Sequence, residues 1–210
     1  MESISGMSMH FYKLHNKGFT LVELLVAIAI FTVMTALLVF KYAGFSEGMT
    51  LTNLAYDVAL TLREAQSYGI NVQDSGNLTT GDKGQFNTMY GVNFNRGNDT
   101  QFILYADLDG AGRYVGKYIR INKVKQGNRF EYLCAGSGSS SCNSVTILDV
   151  QYRRPDPTPK IYAGTVANSL SAYPYAEIRM KSPNGSYRRV VVRSSGQISV
   201  EDTAGATQSR

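Results

Sequence analysis

The first hydrophobic run of the chain extends from Phe19 to Phe40, and Glu23 is its one charged residue. As an α-helix these 22 residues would span roughly 33 Å, which is enough to cross the hydrocarbon core of a bilayer. Lys13 and Lys17 precede the run, whereas Lys41 alone follows it closely. The positive-inside rule therefore predicts a single-pass membrane helix with its amino end in the cytoplasm and the bulk of the chain outside.

The pattern becomes amphipathic over residues 41–69. Apolar residues recur there at helical spacing: Leu51, Leu54, Ala55, Val58, Leu62 and Ala65. Such a stripe predicts that the helix continues past the membrane and packs on a globular head. Polar residues such as Thr61 fall off the stripe, and we expect the helix to end near Tyr68–Gly69, where glycine favours an exit.

Short alternating runs separated by turn residues follow from about Gln85. The predicted strands are Tyr90–Asn95, Gln101–Asp107, Lys117–Val124, Ser144–Tyr152, Tyr175–Lys181, Tyr187–Arg193 and Gln197–Val200. Turns are expected at Pro183-Asn184-Gly185 and Ser195-Gly196, and the proline-rich segment Arg153–Pro159 is expected to be a surface loop. Residues 70–210 are thus predicted to form a β-rich head, and the fold class is α+β, with one long N-terminal helix packed on an antiparallel sheet.

Composition argues against catalysis. The two histidines, His10 and His15, both precede the hydrophobic run, so the rest of the chain has no histidine to act as a general base or metal ligand. The sequence contains no nucleophile elbow and no phosphate-binding loop. We therefore expect a protein that is not an enzyme and uses no cofactor; its net charge of +5 permits a polyanionic partner without requiring one.

Two cysteines, Cys134 and Cys142, flank the flexible segment AGSGSSS. No CxxC motif and no nearby histidine accompany them, which argues against zinc. A disulfide is expected if this part of the chain faces an oxidising compartment, and the alternative is a pair of reduced thiols.

The junction before the hydrophobic run is the most specific signal in the chain. A secretory signal peptide has a shorter apolar core and a small-x-small cleavage site, and a plain membrane anchor would explain the length alone. The sequence Lys17-Gly18-Phe19-Thr20-Leu21-Val22-Glu23 resembles the class III signal of type IV pilins and type II secretion pseudopilins. The fold that this family implies is pilin-like.

The resemblance implies that a prepilin peptidase removes the leader, residues 1–18, by cutting between Gly18 and Phe19, and that Phe19 is then N-methylated. It makes Glu23 the fifth residue of the mature chain, where its carboxylate meets the new amine of a neighbouring subunit. Pairing would offset the cost of burying both charges. Before assembly, Glu23 can also reach the cytoplasmic headgroups.

The resemblance extends loosely into the second half of the helix. Arg63, Glu64, Ala65 and Val72 match minor subunits of the GspH and FimT types. The implied partners are other pilin or pseudopilin subunits, and the implied location is the cytoplasmic membrane, with the head in the periplasm or at the cell surface, and later the filament. A disulfide between Cys134 and Cys142 also agrees with the family's use of such bonds in the head.

Two further candidate sites lie in the head. Asp107 and Asp109 precede Gly110 and Gly112 and resemble the start of a calcium loop, but an EF-hand count reaches Tyr118 where an acid is required, so an Asp-Gly turn is the favoured interpretation. Arg188, Arg189 and Arg193 are candidate DNA contacts, since some competence minor pilins bind DNA through arginines near the carboxy terminus. Strand alternation places Arg188 on the opposite face from the other two.

The leading hypothesis is a structural subunit, a minor pilin or pseudopilin, of a type IV filament. Two alternatives remain: a minor pilin that acts as a DNA receptor in DNA uptake, and a membrane-anchored enzyme that is never cleaved.

Overall fold

A computed structural model describes residues 18–71, 88–107, 112–153 and 155–202. The chain divides into two compact units, Met1–Tyr42 and Ala43–Arg210. One helix, α1 (Leu21–Ile70), contributes to both of them. In the first unit its residues from Leu21 to Val39 are exposed on every side.

The amphipathic stripe of α1 is buried in the second unit, as predicted. All six stripe residues are at most 7% exposed, from Leu51 through Ala65. Thr61, which was expected to lie off the stripe, is also buried, and its hydroxyl donates to the Asp57 carbonyl oxygen at 2.8 Å. A threonine can be buried at this edge because that hydrogen bond satisfies its only polar side-chain group.

Eleven strands and one short 3-10 helix lie in the described part of the second unit. They are β1 (Met89–Asn95), η1 (Arg96–Asn98), β2 (Gln101–Asp107), β3 (Arg120–Lys123), β4 (Arg129–Gly138), β5 (Ser141–Val145), β6 (Ile147–Arg153), β7 (Asp156–Val166), β8 (Ser169–Tyr173), β9 (Tyr175–Lys181), β10 (Tyr187–Arg193) and β11 (Ile198–Asp202). Sheet A has the order β3-β2-β1-β6-β7-β8, and sheet B the order β11-β10-β9-β4-β5. Every pairing is antiparallel, so the α+β class is confirmed.

One hydrophobic core joins the stripe of α1 to the inner faces of both sheets. Sheet A contributes alternate residues such as Val92 and Val150, and sheet B contributes Ile178 and Val190. Three phenylalanine rings, Phe94, Phe102 and Phe130, meet there with centroids 5.5 to 5.8 Å apart. Burying alternate strand residues leaves the intervening ones on two outer faces, which carry the polar chemistry of the second unit.

The helix was expected to end near Tyr68–Gly69, and this is confirmed, because α1 ends at Ile70. A Cβ at Gly69 would lie 2.6 Å from the Tyr152 Cβ and 2.8 Å from its carbonyl oxygen. The glycine is needed because α1 approaches β6 closely at this point, and not because the chain turns there.

The strands predicted at Gln101–Asp107, Tyr175–Lys181 and Tyr187–Arg193 match β2, β9 and β10. The turns at Gly185 and Gly196 are also confirmed, and both glycines have the positive φ that their turns require, 85° and 88°. The prediction of a loop at Arg153–Pro159 is wrong, because β7 begins at Asp156. Pro157 and Pro159 lie two apart, so their missing N–H groups share one edge, and β8 pairs with β7 only from Ile161 onward.

The single strand predicted over Ser144–Tyr152 is two strands in different sheets. β5 ends at Val145 in sheet B, and β6 begins at Ile147 in sheet A. At the break, the Thr146 amide donates to the Gly164 carbonyl oxygen at 3.0 Å, and the Thr146 carbonyl accepts from the Arg96 amide at 2.9 Å. The chain thus changes sheets at one residue without leaving its backbone groups unpaired.

Candidate functional site

The junction at Gly18 and Phe19 is open to solvent. Both residues are exposed, and the Phe19 side chain is 83% exposed. A Cβ added at Gly18 would meet no atom within 4 Å. The fold does not require a glycine here, in contrast to Gly69. The need for glycine at position 18 can therefore come from an enzyme that recognises this junction.

Thr20 caps the start of α1. Its side-chain oxygen accepts from the Glu23 amide at 3.2 Å, and its carbonyl accepts from the Leu24 amide at 3.1 Å. The Thr-x-x-Glu spacing is that of a capping box, a signal that the sequence analysis missed. The cap engages the backbone of Glu23, and its exposed carboxylate takes part in none of the ion pairs formed among residues 18–71, 88–107, 112–153 and 155–202.

The apolar segment after the cap has the length and composition of a membrane span. Leu21–Val39 has 19 residues and a mean hydropathy of 2.6, and none of these residues is buried. It is the one such segment in the part of the chain that the structure describes. An apolar surface on all sides of a helix requires an apolar environment outside the chain, which a bilayer or neighbouring apolar helices can supply.

The two cysteines form a disulfide in the structure. Cys134 on β4 and Cys142 on β5 have Cα atoms 5.4 Å apart, within an antiparallel hairpin at one edge of sheet B. Gly136 lies inside this hairpin, where an added Cβ would meet the Ser141 carbonyl oxygen at 1.7 Å. The bond links neighbouring strands and stabilises the edge of the sheet.

The arginines proposed to contact DNA already have partners. Arg188 pairs with Asp202, and Arg189 contacts both Glu201, at 2.8 Å, and Glu177, at 3.4 Å. Arg193 donates to the Gln197 side chain and lies over the Tyr175 ring, 5.3 Å from its centroid.

Arg179 binds the other oxygen of Glu177 at 2.8 Å, so this carboxylate, only 3% exposed, lies between two guanidinium groups. Carboxylates therefore neutralise much of the positive charge on sheet B, which weakens the argument for phosphate contacts there.

Asp107, the first acid of the sequence compared with a calcium loop, binds the backbone at Gly112. Its Oδ2 accepts from the Gly112 amide at 2.8 Å, and the residue is 3% exposed. Asp109 and Gly110 lie outside the described residues. Asp107 thus has a structural role.

The sequence analysis missed a buried polar network on the outer face of sheet A. Asp149 on β6 is 1% exposed, and its Oδ1 accepts from the Asn93 amide and the Tyr105 hydroxyl, each at 3.0 Å. The Gln151 side chain donates to the same hydroxyl at 2.7 Å. The polar residues alternate along β1, β2 and β6, but their meeting depends on strand pairing that no local pattern reveals.

Burial raises the pKa of Asp149 from 3.8 to about 6, and the hydrogen bonds from Asn93, Tyr105 and the Tyr114 amide limit that rise. Desolvation disfavours the charged form of the carboxyl group, whereas the three donors favour it. Burial and the nearby Asp149 charge likewise raise the pKa of Tyr105 well above 10.0.

A family model described as the prokaryotic N-terminal methylation motif matches residues 13–39. The match covers the cleavage junction, the cap, Glu23 and the apolar segment. No curated protein and no solved structure shows a significant match to the chain. The chain thus carries a type IV pilin-like prepilin motif, which implies processing by a prepilin peptidase and assembly with other pilin subunits.

Proposed function

We propose that this protein is a non-enzymatic structural subunit, a minor pilin or pseudopilin, of a type IV pilus or type II secretion-like filament. The observation that carries the proposal is the methylation motif at residues 13–39, which includes the exposed apolar segment Leu21–Val39 of α1. The second unit, a helix packed on antiparallel sheets, is the head that such a subunit would display outside the membrane. A GspH-type or FimT-type subunit is the specific form that we propose.

The energetics of Glu23 explain why the motif and the helix act together. A charged side chain at the centre of a membrane helix costs roughly 2.5–3.5 kcal/mol even on mild insertion scales, and Glu23, near the start of the span, bears its full cost only when neighbouring helices bury it. Cleavage after Gly18 creates an amine on Phe19, and this amine on one subunit can pair with Glu23 of the next. The capping hydrogen bond uses only the Glu23 amide, so the carboxylate remains available for that partner. Removing one member of such a pair leaves the other buried and uncompensated.

The processing step is tested by the intact mass and amino-terminal sequence of the chain isolated from cells that contain a prepilin peptidase. We expect a chain that begins at N-methylated Phe19. The variant Gly18→Val should stay uncleaved, whereas Gly48→Val should be processed normally. Gly48 is the matched control because an added Cβ has open space at both positions. A chain that still begins at Met1, or one cut beyond Phe40, would contradict the proposal.

The assembly step is tested with Glu23→Gln, which keeps the shape of the side chain and removes its charge. Incorporation into filaments should fall by more than roughly 100-fold, because a buried amine without its partner costs about 3–5 kcal/mol. Asp57→Asn is the control, since it removes an exposed acid from the same helix. Equal incorporation of Glu23→Gln and the original chain would refute the pairing while leaving the processing result intact.

A further inference from the structure

Two cavities adjoin each other on the outer face of sheet A. One has a volume of about 320 Å³ and the other about 350 Å³. Arg113 and Ala167 line both, so the two cavities form one continuous candidate site. Each cavity reaches the lower end of the size range of small-molecule sites in proteins.

The first cavity is lined by side-chain amides. Asn93, Asn95, Asn98 and Gln101 all contribute to its wall. An amide both donates and accepts hydrogen bonds, and so does a hydroxyl group. Part of this capacity is used within the chain, because the Asn93 side chain donates to Asp149 and the Asn95 side chain accepts from the Gly97 amide. The remaining donors and acceptors match a ligand that carries several hydroxyls.

Asp149 forms part of the same wall and is held rigidly in place. Asn93 and the Tyr105 hydroxyl both bind its Oδ1, so its orientation is fixed before any ligand arrives. The ring of Tyr114, also in the wall, packs edge-on against Tyr105 with centroids 5.4 Å apart. The cavity thus combines amides with an aromatic ring that is itself supported by a second ring, and the buried Asp149 holds Asn93 in place within this wall.

The second cavity is cationic. Arg113, Arg153 and Lys160 line it together with Tyr162 and Asn168. Among the residues that the structure describes, none of these three cations takes part in an ion pair. Lys160 does lower the pKa of the exposed Asp156, but Thr158 is the main cause of that shift. This is the reverse of sheet B, where Arg189 has two carboxylate partners.

We propose that the outer face of sheet A binds an anionic saccharide, with the hydroxyl-rich part in the amide cavity and a carboxylate or phosphate group against Arg113, Arg153 and Lys160. A ligand with hydroxyls alone would leave the cations unused, and a simple anion would leave the amide wall unused. Arg113 lies where the two halves meet, so it contacts the ligand at the junction of its neutral and charged parts. Arginine suits this position because its planar group binds carboxylate and phosphate oxygens in pairs.

The test uses the full chain in a nonionic detergent and measures binding to immobilised oligogalacturonate, which carries one carboxylate per sugar. Its methyl ester keeps the remaining hydroxyls and removes the charge, so it is the matched ligand control. Mannose 6-phosphate as a competitor distinguishes a phosphate source of the charge from a carboxylate source. Inorganic phosphate and a single-stranded DNA oligonucleotide complete the set of probes.

The double variant Arg153→Gln with Lys160→Gln should weaken oligogalacturonate binding at least tenfold. Its control is Arg129→Gln with Lys123→Gln, which removes one arginine and one lysine that are exposed and lie outside both cavities. Gln101→Ala should weaken binding of the oligosaccharide while leaving competition by inorganic phosphate unchanged. Methyl esterification should reduce binding by at least the same factor as the double variant.

Equal losses in the two double variants would overturn the site, because the charge effect would then be general. Equal binding of the acid and its methyl ester would overturn the role of the cations. DNA that binds more tightly than the oligosaccharide, and loses binding in the Arg153→Gln, Lys160→Gln variant, would overturn the saccharide in favour of a nucleic acid. The measurements use unassembled chain, so they do not depend on whether the protein enters a filament.

Discussion

The two halves of α1 differ in whether the rest of the chain covers their apolar side chains. From Leu21 to Val39 no residue is buried, whereas the six stripe residues from Leu51 to Ala65 are at most 7% exposed. The second half finds its partner within the chain, in the two sheets. Among the described residues of its own unit, the first half packs against no partner, so its contribution to stability depends on a membrane or on other subunits.

This difference separates two kinds of substitution. Changes in the buried stripe should alter the folding of the second unit, and changes in the exposed run should alter insertion or assembly. The chain has 14 tyrosines and no tryptophan, so tyrosine fluorescence during urea unfolding in detergent can follow the second unit.

The largest expected effect comes from comparing Leu62→Ala with Leu37→Ala. Leu62 is fully buried and Leu37 is 63% exposed. Truncating a buried leucine leaves a cavity and should lower the free energy of unfolding by about 2–5 kcal/mol. Leu37→Ala should leave that free energy unchanged within about 0.5 kcal/mol. A similar loss in both variants would show that the two halves do not differ as described.

A smaller effect is expected on the pH dependence of stability, to which Asp149 in the second unit should contribute and Glu23 in the exposed half of α1 should not. Burial raises the pKa of Asp149 to about 6 from 3.8, so its contribution to stability is full below pH 3.8 and is lost as the pH rises through about 6. Tyr105, Asp107 and the Tyr114 amide face this carboxyl group. The free energy of unfolding should therefore fall by about 1 kcal/mol from this group between pH 5 and pH 7.

Asp149→Asn should flatten that dependence, and Glu23→Gln should not, because Glu23 lies outside the second unit. The measurement is urea unfolding at several pH values in the same detergent. An unchanged slope in Asp149→Asn would assign the pH dependence to another group.

The smallest effect is expected at the ion pair between α1 and β3. Arg120 and Glu64 are partly exposed, with side chains 47% and 27% accessible, and two hydrogen bonds join them. Arg120→Gln should lower the free energy of unfolding by less than about 1 kcal/mol, and less still at high salt. A loss as large as that of Leu62→Ala would mean that charge, and not the apolar stripe, holds the helix to the sheets.

Features that depend on local sequence could be predicted. The stripe of α1 and the strands β2, β9 and β10 follow from periodicity alone. β4 was missed because its second half, Cys134–Gly138, consists of small residues that local patterns assign to a loop. β7 was missed because its prolines suggest a break. The strand accepts them where β8 has not yet begun to pair with β7 and where the pairing with β6 is irregular.

The same distinction holds for the candidate sites. The motif at the cleavage junction can be recognised from the sequence because its residues, Gly18, Phe19 and Glu23, lie within six positions. Asn93, Tyr105 and Asp149 meet only after three strands have paired. The ion pairs that occupy Arg188 and Arg189 likewise depend on the alignment of β10 with β11 and β9.

The redox state of Cys134 and Cys142 also reports which compartment this part of the chain has reached. Thiols retained in a reducing cytosol stay open to alkylation, whereas those that reach an oxidising compartment become closed to it. The fraction of molecules that a maleimide reagent fails to label therefore measures how many copies have reached an oxidising compartment. That measurement needs no fusion partner and no filament, because the reporter lies in the head itself.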